Sequence, residues 1–132
     1  MGVLMRARRF PRYDRRVGFE RFDSVSRNAF NEPVGGWALL GRAFARRDDV
    51  KDGEREAAGR EMSALVARFT CRASDLVRGI TPEDRLVLSG TWDQAGALQS
   101  GQVWAILGVK EVANAQGAEF EITAVLNRES QL

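Results

Sequence analysis

The chain has 132 residues, of which 44% are apolar and 29% are charged, and its formal net charge is +2. These proportions are typical of one globular domain and exclude a disordered or fibrous chain, and no apolar run reaches the roughly 20 residues that cross a bilayer. The chain contains no histidine and one cysteine, Cys71, which excludes Ser-His-Asp and Cys-His catalysis, imidazole metal ligands and a structural zinc site.

The first 14 residues are predicted to form a basic arm. Residues 1–16 contain six arginines and one acidic residue, whereas the rest of the chain is mildly acidic. No apolar stretch follows the positive charges of MGVLMRARRF, so we expect no secretion signal. Such an arm favours contact with the acidic surface of a partner protein or with DNA phosphates, and a solvated tail is the alternative. The residues assigned to this contact are Arg6, Arg8, Arg9 and Arg12.

Two candidate elements follow the arm. The segment RRVGFERF (15–22) predicts an edge strand with a bulge, because Phe22 breaks its alternation. Val17 and Phe19 are expected on one side of this strand. The segment NAFNEPVGGWALLGRAFARR (28–47) passes from a polar turn into an apolar run. Its large apolar residues have helical spacing, whereas GWALL is also typical of a buried strand, so periodicity leaves helix and strand open.

A densely charged segment comes next. RRDDVKDGEREAAGREM (46–62) predicts a long loop, with or without a short helix after Gly53. Because the segment has almost no large apolar residue to bury, we expect it to contact neighbouring subunits rather than its own domain. The proposed subunit or ring interface comprises Arg46, Arg47, Asp48, Asp49, Lys51, Asp52, Glu54, Arg55 and Glu56.

The second half of the chain contains four segments with strand-like alternation, at 64–72, 84–90, 102–112 and 118–126. A bulge is expected at Gly108, and NAQG (114–117) is expected to join the last two segments as a hairpin. The residues predicted to face the core are Leu65, Ala67, Phe69, Cys71, Leu86, Leu88, Trp104, Ile106, Ala118, Phe120, Ile122 and Ala124. As the single cysteine, Cys71 cannot form an intramolecular disulfide, which suits a reducing cytoplasm, and its thiol is expected to be buried and inert.

Two polar stretches lie between these segments. GITPED (79–84) predicts a turn, in which the adjacent acids Glu83 and Asp84 are expected to be solvated. TWDQAGALQS (91–100) predicts a polar insertion over residues 91–101. The strands together predict a small antiparallel β-barrel or sandwich.

The predicted domain organisation follows from these elements. It consists of a basic arm at 1–14, one β-barrel domain at 15–127 and a tail at 128–132, with the long loop 46–62 and the insertion 91–101 inside the domain.

The order of the segments resembles that of the head-tail joining proteins of long-tailed bacteriophages, which are also called head closure or stopper proteins and occur in prophages and gene transfer agents. The resemblance covers residues 15–126. Its most specific parts are FNEPVGGW (30–37), DGEREAAGRE (52–61) and GITPEDRL (79–86), in that order. TWDQAGALQS is longer than the corresponding turn of the family. The local docking surface is therefore expected to differ from that of the family, whereas the fold is expected to be the same.

The resemblance implies a structural virion protein with no enzymatic activity and no cofactor. It implies that residues 28–47 contain a core strand anchored by Trp37. The implied partners are further copies in a cyclic ring (hexamer or dodecamer), the adaptor or portal ring, and the tail terminator or tail tube ring, with non-specific DNA contact in the channel and no membrane. The implied location is the head-tail junction of a particle assembled in the bacterial cytoplasm.

Two other functions fit parts of this description. A tail terminator or adaptor ring protein of the same particle would share the composition and the location. A small nucleic-acid-binding protein of the OB type would share the barrel and the basic arm. The predicted strands, however, lack the alternating aromatic and basic residues of a stacking platform, and Phe69 with Arg68 and Arg72 is the nearest approach to one.

Overall fold

The architecture was taken from a computed structural model, which describes residues 13–23, 29–30, 35–50 and 65–126. Its elements are the strands β1 (Arg15–Asp23), β2 (Gly36–Asp49) and β3 (Val66–Arg72), the short helix α1 (Asp75–Arg78), and the strands β4 (Arg85–Trp92), β5 (Leu98–Glu111) and β6 (Glu119–Leu126). The strands form a closed barrel in the order β1-β2-β3-β6-β5-β4, and every neighbouring pair is antiparallel. The predicted β-rich fold is confirmed in its barrel form. Within the described residues, no helix has the length and apolar content that a membrane span requires.

Closure of the barrel gives β1 a partner on each side. It pairs with β2 and also with β4, so the prediction of an edge strand is wrong. The alternation of apolar and polar residues along one strand cannot show this, because the alternation does not depend on how many strands pair with it. Val17 and Phe19 are buried together as predicted. The predicted bulge is present, but it lies between Phe19 and Glu20, where β2 carries Leu40 as an extra residue.

Strand β2 is longer than the sequence predicts and includes the first four residues of the predicted loop. Arg46–Asp49 pair with Thr70–Ala67 of β3, so the assignment of these residues to a loop is wrong. The physical reason is that β2 joins two strands: its first part pairs with β1 and its last part with β3. Charged side chains do not disturb this pairing, because backbone groups make the hydrogen bonds. Residues 51–62 of the predicted loop lie outside the described residues.

The segment around Trp37 is a strand, as the resemblance implies, but Trp37 is not a core anchor. Its indole is half-buried and meets Phe22 edge-on, with 5.4 Å between the ring centroids. Farther along β2, Leu40 and Phe44 are 40% and 55% exposed. The inward positions of β2 are taken instead by Ala43 and Ala45. The large apolar residues of this strand therefore cover the outside of the barrel.

The core confirms most of the alternation predicted for the later strands. Trp104 and Phe69 are fully buried and meet edge-on, with 5.2 Å between their ring centroids. The other predicted core residues that are buried are Ala67, Cys71, Leu86, Leu88, Ile106, Ile122 and Ala124, with Leu65 and Phe120 packed against them. Ala118 is the exception: it is exposed, because it lies in the turn before β6 begins at Glu119.

Of the two hairpins in the second half of the chain, β5–β6 agrees with the sequence prediction and β4–β5 does not. The β5–β6 turn contains NAQG as expected, with positive φ at Asn114, Gln116 and Gly117, and the register shift before Gly108 confirms the bulge. The predicted insertion 91–101 is instead a continuation of β4 and β5 around a short turn. In that turn the Asp93 carboxylate accepts hydrogen bonds from the amides of Ala95 and Ala97.

Candidate interaction surface

The described part of the predicted ring interface is the end of β2. Arg46 is partly exposed and forms ion pairs with Asp48 and Glu119, at 3.5 and 3.6 Å. Arg47 lies over the buried Trp104 ring, 5.1 Å from its centroid, and its Nε donates to Asp49 at 2.8 Å. Arg47 therefore covers its own barrel core, while the other three side chains lie nearer the solvent.

The remaining predicted contact residues lie outside the described residues. They are Lys51, Asp52, Glu54, Arg55 and Glu56 of the loop and Arg6, Arg8, Arg9 and Arg12 of the arm.

A polar network is buried on the outer face of the barrel. The Glu20 side chain is fully buried and accepts hydrogen bonds from Arg85 Nε at 2.7 Å and from Trp92 Nε1 at 2.9 Å. The Arg85 guanidinium in turn lies 4.2 Å from the centroid of the Trp37 ring. Gly18 provides the space for Trp92, since a Cβ there would lie 2.3 Å from the indole. The network therefore fixes Trp92 against β1.

Next to Trp92 is a cleft whose other wall is Phe44. The cleft has a volume of about 270 Å³, and apolar atoms of Val17, Ala43 and Gly90 contribute to its lining. Each wall carries an arginine: Arg16 lies 5.6 Å from the centroid of Phe44, and Arg42 lies 5.0 Å from the centroid of Trp92. Both arginines are exposed. The cleft therefore combines an apolar interior with a positively charged rim.

A second, wider cleft lies on the other side of Phe44. It has a volume of about 440 Å³ and is lined by Tyr13, Arg72 and Ser74 as well as by β2. The Arg72 guanidinium lies 5.0 Å from the centroid of Tyr13, whose hydroxyl donates to Glu119. We call the combined region the arginine-aromatic surface, and its members are Tyr13, Arg16, Arg42, Phe44, Arg72 and Trp92.

Sequence reasoning missed this surface. Its six residues come from the four strands β1, β2, β3 and β4 and from Tyr13 just before β1, and each aromatic ring has over it an arginine from another strand or segment. No stretch of the sequence contains the alternation that a single-strand platform would show. The large apolar residues of β2 were the one available signal, and the helical spacing of these residues left even the type of element open.

The turn before β4 also differs from its prediction. Asp84 was expected to be solvated, but its side chain is fully buried. It accepts a bidentate pair of hydrogen bonds from Arg21, at 2.8 and 2.9 Å, and a third from the Thr81 amide at 2.9 Å. Burial by itself raises the pKa of Asp84, but the hydrogen bonds and charge of Arg21 and the Thr81 donors outweigh it and hold the pKa below its usual value.

This lowered pKa predicts a pH-dependent contribution to stability. A carboxyl whose pKa is lower in the folded protein stabilises it above the unfolded pKa of about 4, and the contribution disappears as the pH falls through the folded pKa. Asp84→Asn should therefore lower the melting temperature at pH 7 by about 5 °C, and the difference should shrink as the pH falls below the unfolded pKa of about 4. Glu83→Gln, at the exposed neighbouring position, is the control and should change little. A difference that stays constant from pH 7 to pH 2 would contradict this role.

The described residues contain no arrangement suited to catalysis through a thiol or a metal. Cys71 is buried as predicted, and burial raises its pKa to about 12, so the thiolate is scarce at neutral pH. No group of three or more acidic, histidine or cysteine residues in this part of the chain could hold a metal ion.

Comparison with known proteins agrees with a structural role. A family model described as phage head completion protein matches residues 8–129. Among solved structures, the chain is similar to protein SF1141 from Shigella flexneri 2a, with 18% identity, a TM-score of 0.64, and 92% of this chain and 99% of that chain covered. It is also similar to a chain of the native gene transfer agent virion, with 22% identity, a TM-score of 0.53, and coverage of 88% and 96%. Both structures support the barrel fold. None of the curated proteins matches the chain significantly.

Proposed function

Since the chain belongs to the phage head completion protein family, we propose that it forms the head closure, or stopper, ring that joins the portal-adaptor complex to the tail and helps retain packaged DNA. Family membership confirms the resemblance found in the sequence and makes the chain a structural protein of the virion head. The match over residues 8–129 is the observation that carries the proposal, because it spans the whole barrel.

The closed barrel supports a role as a rigid building block. Each of its six strands has a neighbour on both sides, although β2 pairs with β1 along its first part and with β3 only along its last part. No strand is therefore an edge strand over its full length, and in this proposal contacts with partners use side chains on the outer face and the segments that connect the strands. A ring of identical subunits requires two different surfaces that meet around a rotation axis. The mixed charges at the end of β2 are the described candidate for one of these surfaces.

The end of β2 is the described part of the proposed subunit interface. Asp48 and Asp49 have side chains that are 64% and 55% exposed, although each has an arginine beside it. In the proposal they act together with the charged residues that follow in the sequence, at 51–56. Rim contacts of this kind contribute about 1 kcal/mol or less each, but a ring repeats them at every interface. The partners in this proposal are copies of the chain in a hexamer or dodecamer, the adaptor or portal ring, the tail terminator or tail tube ring, and DNA contacted non-specifically by the arm.

Particles assembled without this chain test the proposal. We expect heads that package DNA but fail to retain it and carry no tails, because the channel is not closed and the tail has no platform. Electron microscopy of the particles and measurement of nuclease-protected DNA give the two readouts, and expression of the wild-type chain in trans is the matched control. Particles that keep both DNA and normal tails would contradict the proposal. Filled heads accompanied by tails of irregular length would favour a tail terminator instead.

A further inference from the structure

We propose that the arginine-aromatic surface binds an acidic segment of another virion protein, which inserts one large apolar side chain between Phe44 and Trp92. That the segment belongs to a virion protein rests on the proposed function. The chemistry of the surface stands on the structure of this chain alone. Phe44 is 55% exposed although it is a large apolar residue, and the cleft beside it measures about 270 Å³. A side chain placed in this cleft would bury the exposed ring and the apolar lining together.

The charge around the cleft defines the rest of the partner. The structure describes ten arginines, and seven of them have a carboxylate within 4.0 Å: Arg15, Arg21, Arg46, Arg47, Arg68, Arg78 and Arg85. The other three are Arg16, Arg42 and Arg72, and all of them line the arginine-aromatic surface. Within the described residues, this surface therefore concentrates the arginines that lack an acidic partner. Carboxylates supplied by another chain would complement it.

The arginines are also held in place for such a partner. Each guanidinium lies over an aromatic ring: Arg16 over Phe44, Arg42 over Trp92 and Arg72 over Tyr13. The N–H groups of a guanidinium form a fork that suits the two oxygens of a carboxylate. The Trp92 wall is itself fixed, because Glu20 accepts a hydrogen bond from its indole. A preorganised surface loses less conformational entropy on binding.

The same contacts disfavour nucleic acid as the occupant. Proteins that bind single strands use aromatic rings on which bases can stack. Here each of the three rings already has a guanidinium lying over it, at 5.0 to 5.6 Å from its centroid. Phosphate contacts require positive charge but no apolar cleft. An acidic protein segment with a large apolar side chain accounts for both the charge and the cleft.

Peptide selection on the isolated full-length protein tests this inference. A displayed library of random 12-residue peptides is selected on the wild-type chain and counter-selected on Arg16→Glu/Arg42→Glu. We expect enriched peptides that combine Asp or Glu with Phe, Trp, Leu or Ile. Their affinity for Arg16→Glu/Arg42→Glu and for Phe44→Ala should fall at least tenfold. Arg78→Glu/Lys110→Glu makes the same change in net charge away from the clefts and should keep the affinity.

Several outcomes would overturn the inference. Peptides without acidic residues, peptides that bind all variants equally, or the absence of any enrichment would each do so. A 30-base-pair DNA duplex that binds the wild-type chain and the control, but not Arg16→Glu/Arg42→Glu, would assign the surface to nucleic acid. If the double charge reversal lowers the melting temperature, Arg16→Gln/Arg42→Gln replaces it. Since these measurements use the chain by itself, their failure would leave the head closure proposal intact, and failure of the particle experiment would leave the peptide result intact.

Discussion

Phe69→Asp should yield no soluble folded protein. The Phe69 side chain is fully buried and meets the equally buried Trp104 ring edge-on. A carboxylate at this position would lose its water without gaining a partner, at a cost of several kcal/mol. Domains of this size are stable by about 5–15 kcal/mol in total, so the substitution removes much or all of that margin. The soluble fraction after expression and the far-UV circular dichroism of any soluble protein measure the effect.

The adjacent residue provides the matched control. Arg68 points to the other side of β3, its side chain is 40% exposed, and its Nε lies 3.6 Å from a Glu121 carboxylate oxygen. Arg68→Asp replaces this attraction with a repulsion between two partly exposed groups, which costs about 1 kcal/mol. The variant should fold. Val66 and Thr70 point to the same side of β3 as Arg68 but are buried. Neither of them could therefore serve as the exposed control, whereas Arg68 can. If Arg68→Asp abolishes soluble folding as Phe69→Asp does, burial does not distinguish the two faces of β3.

Glu20→Ala should lower the free energy of unfolding by about 3–5 kcal/mol, as is usual when one partner of a buried ion pair is removed. The Arg85 side chain is only 16% exposed, so it would keep a largely buried charge without the carboxylate that now accepts from it at 2.7 Å. The indole N–H of Trp92 would lose its acceptor as well. Urea denaturation of the variant and the wild type, monitored by circular dichroism, gives the difference.

A double substitution separates the loss of a partner from the value of the pair. Glu20→Leu/Arg85→Leu removes both charges, and replacing a whole buried pair with apolar residues is often nearly neutral. We therefore expect the double variant to be more stable than Glu20→Leu alone and than Arg85→Leu alone, with some loss remaining because Arg85 also lies over the Trp37 ring. If the cost of the double substitution equals the sum of the costs of Glu20→Leu and Arg85→Leu, the two residues are not coupled. A loss below about 1 kcal/mol for Glu20→Ala would contradict the burial of the network.

The alternation of apolar residues predicted the inward faces of the later strands because one side of each faces a dry core. Phe69, Leu86, Trp104 and Ile122 are all buried as that pattern requires. Closure of the barrel could not be predicted in the same way. Whether a strand has one neighbour or two depends on pairing between distant segments, as it does for β1 with β4.

The outer face was harder to predict than the core. Glu20 has the sequence pattern of a solvated outward residue, and only the folded chain brings Arg85 and Trp92 over it. The same is true of Asp84, which Arg21 reaches from β1. The arginine-aromatic surface combines side chains from separate segments, so its charge and its apolar cleft come together only after folding. The loop and arm residues of the predicted interface lie outside the described part of the chain and stay proposals.

In the proposed assembly this chain forms the ring between the portal-adaptor complex and the tail. Electron cryomicroscopy of the head-tail junction of the particle that contains this chain tests the proposal most directly. We expect a cyclic ring of six-stranded barrels in the order β1-β2-β3-β6-β5-β4, placed between the adaptor ring and the first tail ring. A map in which these barrels lie at the far side of the tail terminator, or are absent from the junction, would contradict it.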